Sequence, residues 1–262
     1  MSVGCGTIAA MVSSPQWLSR YLAGQREQVW HDLRQLGSTI REEPDLFEEA
    51  QLVCDEMARR ARQNVEVIIE RLSTDDYKFH SNDDEQTPVT PHVAPTATAD
   101  EHADWFQEHF GAVPMTLCSW TRIVGDVWLV GTHPLWTSSA SGDPLVIELE
   151  GSRYPGDPSI RDYFEDEWND WREDCAQDAS SAGVFVLPVA PDRLHKENVS
   201  GGSPYGIVLP DGSADGLFAG ETTTPFVSYL NQVFRHGGFP CATESPSEWR
   251  VKQDLARDLL PL

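Results

Sequence analysis

The stretch VFVLPVAPDRLHKENVSGGSPYGIVLPDG, residues 184–212, has the clearest β-strand pattern in the chain. Its two ends, 184–189 and 207–209, are apolar runs bounded by Gly, Pro and Asp, which is typical of buried strands. Two further runs of this kind, 127–130 and 145–149, lie upstream. We expect four strands here, separated mostly by loops, and this arrangement favours an antiparallel sheet.

Helical patterns surround this group of strands. Apolar residues recur at helical spacing over 15–36 and 44–72, and we expect these two helices to pack as an antiparallel pair. The same spacing predicts further helices at 100–110, 115–123, 158–176, 223–236 and 246–259. The order of elements predicts an α+β protein with a mainly antiparallel sheet, helices packed on one face, and an N-terminal helical pair before them.

Residues 81–100 differ in composition from their surroundings. They contain three prolines, many Ser, Thr, Asn and Asp residues, and little that could be buried. This composition predicts a linker or surface loop. We therefore expect three parts: an N-terminal helical region at 1–80, the linker or loop at 81–100, and an α+β domain at 101–262. The sequence leaves open whether residues 1–95 form a separate domain.

The chain is strongly acidic. It has 42 Asp and Glu residues against 19 Lys and Arg residues, which gives a net charge of −23. Such a surface repels nucleic acid and anionic membranes, so we expect neither as a partner. It attracts basic proteins and speeds their encounter, although the same charge could serve solubility alone.

The common signatures of catalysis and metal binding are missing from the sequence. The five cysteines are scattered without a CxxC pair, and there is no HExxH, GxSxG, P-loop or GxGxxG motif. We therefore expect no catalytic residue, no metal and no cofactor, and a binding protein rather than an enzyme. The first residues lack the basic region of a signal peptide and no apolar run reaches transmembrane length, so we expect a cytoplasmic protein.

The predicted helix at 158–176 is the first candidate site. Trp168 and Trp171 lie on its apolar stripe, which we expect to face the core. The other faces are acidic and form either plain solvated surface or a docking surface for a basic protein. The candidate partner-binding residues are Asp162, Glu165, Asp166, Asp170, Glu173 and Asp174.

The turn at 195–205 is the second candidate site. Its Ser-Gly-Gly sequence could present backbone N–H groups to an anion, or it could simply form a tight turn before the strand at 207–209. The candidate ligand-binding residues are His195, Lys196, Asn198, Ser200 and Tyr205. A small-molecule site or an enzyme site here would require these side chains to converge on one pocket.

Two stretches resemble domains of the SUKH (SMI1/KNR4) superfamily. In such domains a helix ends near a glycine, an apolar-Pro pair begins a second helix, and a small-residue turn leads into the first strand. The matching residues here are Trp105-Phe106, Gly111-Ala112-Val113-Pro114, Leu117, Trp120 and Val124-Gly125-Asp126-Val127. The closing helix of such domains is similar to Thr224–Leu230 followed by Val233-Phe234, and Asp143-Pro144-Leu145 lies where their second sheet segment begins.

The whole chain also resembles a set of bacterial proteins for which no activity is assigned. The shared features are a long Arg-rich helix like 57–72, a segment like 194–210 and an ending like Phe234–Pro240. The SUKH resemblance implies an α+β domain that binds other proteins, and many bacterial members neutralise toxins by direct contact. It implies no catalytic residue.

Three functions follow as hypotheses. The first is an acidic protein-binding module, of the immunity type, that neutralises a basic toxin by direct contact. The second is a small-molecule or anion-binding protein, or an enzyme, that uses the His195–Tyr205 turn. The third is a regulatory scaffold domain without a link to a toxin. The sequence does not fix the oligomeric state.

Overall fold

The computed structural model describes residues 15–136, 139–151, 159–177 and 183–262, and within them the fold is α+β, as the sequence predicts. Residues 1–14, which lack the basic region of a signal peptide, lie outside these ranges. Residue 158, the first residue of the helix predicted at 158–176, also lies outside them. Nowhere in the described ranges is a helix both long and apolar enough to cross a membrane.

The N-terminal region contains three α-helices within residues 15–80. These are α1 (Trp17–Leu22), α2 (Arg26–Leu36) and α3 (Pro44–Thr74), with a short 3-10 turn at Gly37–Arg41. The prediction of one helix over 15–36 is therefore wrong. The helical conformation is interrupted at Gly24, whose φ of 96° lies in the left-handed region that glycine adopts without a steric penalty. Helix α3 begins with Pro44 at its first position, as expected from the fixed φ of proline.

The remaining α-helices agree closely with the sequence pattern, apart from one short helix that it did not predict. They are α4 (Ala99–Phe110), α5 (Met115–Ile123), α6 (Ile160–Gln177), α7 (Arg193–Lys196), α8 (Phe226–Arg235) and α9 (Pro246–Ala256). The unpredicted helix is α7, whose first turn is capped by Asp192. Helix α8 begins later than predicted because residues 223–225 form a strand.

The strands form three antiparallel sheets in the described part of the chain. They are β1 (Lys78–Phe79), β2 (His92–Val93), β3 (Asp126–Trp128), β4 (Gly131–Thr132), β5 (Val146–Ile147), β6 (Phe185–Ala190), β7 (Tyr205–Leu209), β8 (Leu217–Ala219) and β9 (Thr223–Pro225). The sheet orders are β1-β4, β2-β3-β5 and β6-β7-β8-β9. All four strands predicted after residue 126 are present as β3, β5, β6 and β7, and the other strands are short additions to them.

The stretch predicted as a linker or loop contributes a strand. His92 pairs with Val127 in the β2-β3 ladder. Gly125 permits this close approach, because a Cβ atom at Gly125 would lie 2.3 Å from the carbonyl oxygen of Val93. Its φ of 85° also favours glycine. Residues 92–93 are therefore attached to the edge of a sheet.

One hydrophobic cluster extends through the described chain. It includes Met57 and Ile68 of α3, Trp120 of α5 and Phe226 of α8. The rings of Trp120 and Phe226 meet edge to face, with their centroids 5.7 Å apart. The side chains of the N-terminal helices thus share a core with those of the later elements. This shared packing holds the sheets and helices around the sites described below.

Candidate functional site

Helix α6 begins with a capping box. The Ser159 hydroxyl accepts a hydrogen bond from the Asp162 backbone N–H at 3.1 Å, and the Asp162 carboxylate accepts one from the Ser159 backbone N–H at 3.2 Å. This reciprocal pair satisfies backbone donors that a helix start leaves free. Asp162, one of the predicted partner-binding residues, therefore also stabilises the start of the helix.

Aromatic side chains fix one face of α6 to the rest of the fold. Phe164 is fully buried, and its ring lies 5.8 Å from the ring of Phe106 on α4. Trp168 packs edge to face against Phe110 at 5.6 Å and against Phe185 on β6 at 4.7 Å. Because aromatic contacts bury large areas, they hold the helix rigidly. The apolar stripe predicted from the sequence is the face that packs.

An arginine clamps the first turn of α6 to α4. Arg161 Nε donates to Nδ1 of His102 at 2.8 Å, and its guanidinium lies 5.1 Å from the centre of the Trp105 ring. The opposite ring nitrogen of His102, Nε2, donates to the Leu149 carbonyl. These two bonds require a neutral imidazole with its proton on Nε2. Burial, with Arg161 nearby, lowers the pKa of His102.

The face of α6 turned away from the core carries a ladder of aspartates. Asp162, Asp166, Asp170 and Asp174 follow one another at intervals of four residues, and all four are exposed. Residues four apart lie on one side of a helix, so the four carboxylates form a single row, which we call the aspartate ladder. Among the described residues, no basic side chain forms an ion pair with any of the four.

The other acids of α6 increase the negative charge around the ladder. The helix contains seven acidic residues and two arginines. Glu173 is exposed, and Glu165 is half-buried with an oxygen 3.8 Å from Nε2 of His109. Burial, with Asp170 and Asp166 nearby, raises the pKa of Glu167. A raised pKa means that the charged form of Glu167 is disfavoured, first by burial and then by the neighbouring carboxylates.

A cavity of about 310 Å³ opens beside the first turn of α6. It lies where the two larger sheets meet, at the point where the Glu148 backbone N–H donates to the Val189 carbonyl at 2.8 Å. Its walls are mostly apolar and include Ile160, Tyr163 and Trp128. Burial, with Glu167 nearby, raises the pKa of Tyr163 to about 12, so its hydroxyl stays neutral. Because Ile160 and Tyr163 flank Asp162 along α6, the cavity lies next to the first residue of the aspartate ladder.

His195 lines the mouth of this cavity and is held by Asp192. Its Nδ1–H donates to the Asp192 carboxylate, which also accepts the backbone N–H groups of Leu194 and His195 at the start of α7. Burial opposes ionisation of Asp192, but these hydrogen bonds outweigh it and lower the pKa of the carboxyl. The Asp192 carboxylate therefore fixes the orientation of the His195 imidazole ring.

The other residues of the predicted turn are divided between different parts of the fold, although Lys196 and Asn198 both line one further cavity of about 290 Å³. Lys196 is buried and its Nζ donates to Asp143 Oδ1 at 2.6 Å, whereas the Asn198 amide donates to Asp84 at 2.6 Å. Ser200 is exposed. The Tyr205 hydroxyl donates to Glu221 at 3.1 Å, and both residues line another cavity, which does not include Lys196 or Asn198. The five side chains are therefore not brought together in one pocket.

Several site residues were missed by the sequence reasoning. Glu148, Tyr163 and Asp192 had no assigned role, because the cavity forms only when distant segments meet. One signal was available for Asp192: it follows a proline and precedes a short helix, which is a preferred capping position. The four-residue interval of the ladder could also be read directly from the sequence.

The described residues contain no group of three or more His, Cys, Asp or Glu side chains that could hold a metal ion. Known proteins offer no guide to the site. No protein-family model, no curated protein and no solved structure matches this chain.

Proposed function

We propose that this protein is an acidic binding module that docks on a basic protein partner through helix α6. The aspartate ladder is the observation that carries the proposal. Four exposed carboxylates stand in one row without a cation from the described residues to neutralise them. Plain solubility needs acidic residues on the surface but does not require them to be aligned.

The energetics of the ladder support a docking role. Like charges four residues apart destabilise a helix by about 0.2–0.5 kcal/mol for each pair. A basic partner removes this repulsion when it binds, so the unfavourable interaction in the free protein becomes a contribution to affinity. Aligned charges of one sign also raise the rate of encounter and select against acidic competitors.

The surroundings of α6 suit a docking surface as well. The aromatic contacts of Phe164 and Trp168 fix the helix before a partner arrives, which reduces the entropy lost on binding. The cavity beside Tyr163 offers an apolar recess at one end of the ladder. Interfaces commonly combine a charged surface with a pocket for one apolar side chain.

The immunity-type role is the most specific form of this proposal. A nuclease must hold phosphates, so its active site is basic, and an acidic module can occlude it. The SUKH resemblance of the sequence agrees with such a role. A regulatory scaffold with a basic partner other than a toxin would use the same surface.

Affinity purification tests the proposal. The tagged protein is recovered from its native host at low and at high salt, beside an Asp166→Lys/Asp170→Lys variant, and bound proteins are identified by mass spectrometry. We expect a basic protein that is retained by the wild type at low salt, lost at high salt and absent with the variant. A Glu48→Lys/Glu70→Lys variant, with the same charge change at exposed positions of α3, should retain it. Equal recovery by both variants would contradict the role of α6.

A further inference from the structure

Another cavity, of about 250 Å³, lies away from α6. It is enclosed by the turn between β8 and β9, by α8 and by the segment around Cys241. Its size suits a molecule smaller than a typical drug. Neither the aspartate ladder nor the cavity beside Tyr163 includes any of its lining residues.

Tyr229 gives this cavity an unusual polar group. The residue lines the cavity and is only 8% exposed, and its hydroxyl has no hydrogen-bond partner among the described residues. Its ring is fixed by stacking on Phe218, with the two centroids 3.9 Å apart. Burial raises the pKa of Tyr229 far above its usual value, so the group remains a neutral phenol that can donate and accept. A buried hydroxyl without a partner is costly, and a bound ligand could supply one.

The charges of the lining favour a cation. Asp143 and Glu221 are its ionisable carboxyl groups, and no Lys or Arg belongs to the described lining. Asp143 is neutralised by Lys196, and Oε1 of Glu221 forms an ion pair with Nε of Arg193 at 3.6 Å, although the Glu221 side chain is 64% exposed. Burial raises the pKa of the Cys241 thiol, so it adds no charge. Arg193 and the Tyr205 hydroxyl both contact Oε1 of Glu221, so this exposed carboxylate is the group that an added ammonium can share. An anion would meet no cation in the described lining.

The apolar part of the lining favours an aromatic or aliphatic body. Tyr205 is 5% exposed, and its ring already lies near an ammonium, because Lys196 Nζ is 5.0 Å from the ring centre. This contact is favourable because aromatic faces attract cations. Pro240 and the side chains of Thr222 and Thr224 complete a largely apolar wall. The cavity therefore combines an apolar interior with an acidic mouth.

We propose that this cavity binds a small organic amine, with the ammonium group held by Glu221, an N–H donated to the Tyr229 hydroxyl, and the apolar body against Tyr205. The site is separate from the docking surface on α6 and stands or falls independently of it.

Three matched probes test the site by isothermal titration calorimetry: phenethylamine, the neutral 2-phenylethanol and the anionic phenylacetate. We expect saturable binding of the amine, binding of the alcohol that is weaker by about tenfold or more, as the loss of one charged hydrogen bond implies, and no binding of the acid. Absence of saturable binding by phenethylamine at millimolar concentrations, or equal binding of phenylacetate, would overturn the proposal.

Variants then place the amine in the cavity. Glu221→Gln, at an exposed position, should reduce the affinity for phenethylamine to that for 2-phenylethanol. Tyr229→Phe should also weaken the amine, by about tenfold, while the Tm of the free protein stays equal or rises because an unpaired hydroxyl is removed. The Asp166→Lys/Asp170→Lys protein serves as the control for general attraction of cations to an acidic surface, and it should bind phenethylamine as the wild type does. Loss of amine binding in this control, with full binding by Glu221→Gln, would refute the assignment.

Discussion

The Nζ atom of Lys196 lies 2.6 Å from Oδ1 of Asp143, and the two side chains are 0% and 5% exposed. This pair joins the end of α7 to the loop before β5, where Asp143 has a φ of 56°. Burial lowers the pKa of Lys196, and the carboxylate of Asp143 opposes that shift. The pair therefore holds the turn at 195–198 in place next to the cavity that Asp143 and Tyr205 line.

Removing one member of this pair should be far more harmful than removing both. Lys196→Met leaves the Asp143 carboxylate buried without its cation, and we expect a loss of about 3–5 kcal/mol in the free energy of unfolding. The double variant Lys196→Met/Asp143→Asn should recover a large part of this loss. Urea unfolding followed by circular dichroism measures both. Equal stability of the single and double variants would show that the ion pair does not contribute as described.

Asp215 is a second buried carboxylate, and replacing its partner Arg34 should make the free energy of unfolding depend on pH. Asp215 accepts hydrogen bonds from Arg34 Nε at 2.8 Å and from the Val227 backbone N–H at 3.0 Å, and its side chain is fully buried. Burial, partly offset by Arg34, raises the pKa of Asp215. In Arg34→Met this offset is lost, so we expect destabilisation of about 2 kcal/mol at neutral pH.

The pH dependence of that variant follows from the direction of the shift. A carboxyl whose pKa in the folded state lies above its unfolded value binds more protons when folded, so the deficit of Arg34→Met should shrink as the pH falls toward the unfolded value. The difference from the wild type in urea unfolding, measured between pH 7 and pH 4.5, tests this. A deficit that grows on acidification would contradict it.

His102 should make the wild type less stable in mild acid. Its pKa is lowered in the fold because the ring is buried beside Arg161, whereas the unfolded chain takes up the proton near the ordinary value of 6.5. Stability should therefore be unaffected above that value and should decline as the pH falls below it. His102→Gln, which cannot titrate, should decline less. The exposed His31→Gln variant is the control and should follow the wild type.

Periodicity explains why the helices could be predicted and some of the strands could not. Helices α4 and α5 match the sequence pattern almost to the residue, because several turns of apolar spacing specify each one. Strands β2 and β9 have two and three residues, too few for a period of two to be recognised. They are set by the neighbouring strands rather than by their own composition.

The candidate site was predictable only where it is local in sequence. The acids of α6 were identified from one continuous stretch. In contrast, Lys196 meets Asp143 across 53 positions, and His195 reaches the cavity beside Tyr163 through the fold. Contacts between distant segments produce no recognisable spacing of residues in the sequence. The turn at 195–205 was therefore predicted as one possible site, although its side chains lie apart.

The association kinetics of the captured partner test the central claim most directly. The on-rate is measured by stopped flow across a range of salt concentrations for the wild type, Asp166→Lys/Asp170→Lys and the α3 control Glu48→Lys/Glu70→Lys. If α6 is the docking surface, the α6 variant should associate about tenfold or more slowly with a flatter dependence on salt, and the control should stay close to the wild type. An unchanged on-rate for the α6 variant, or an equal loss in the control, would contradict docking through the aspartate ladder.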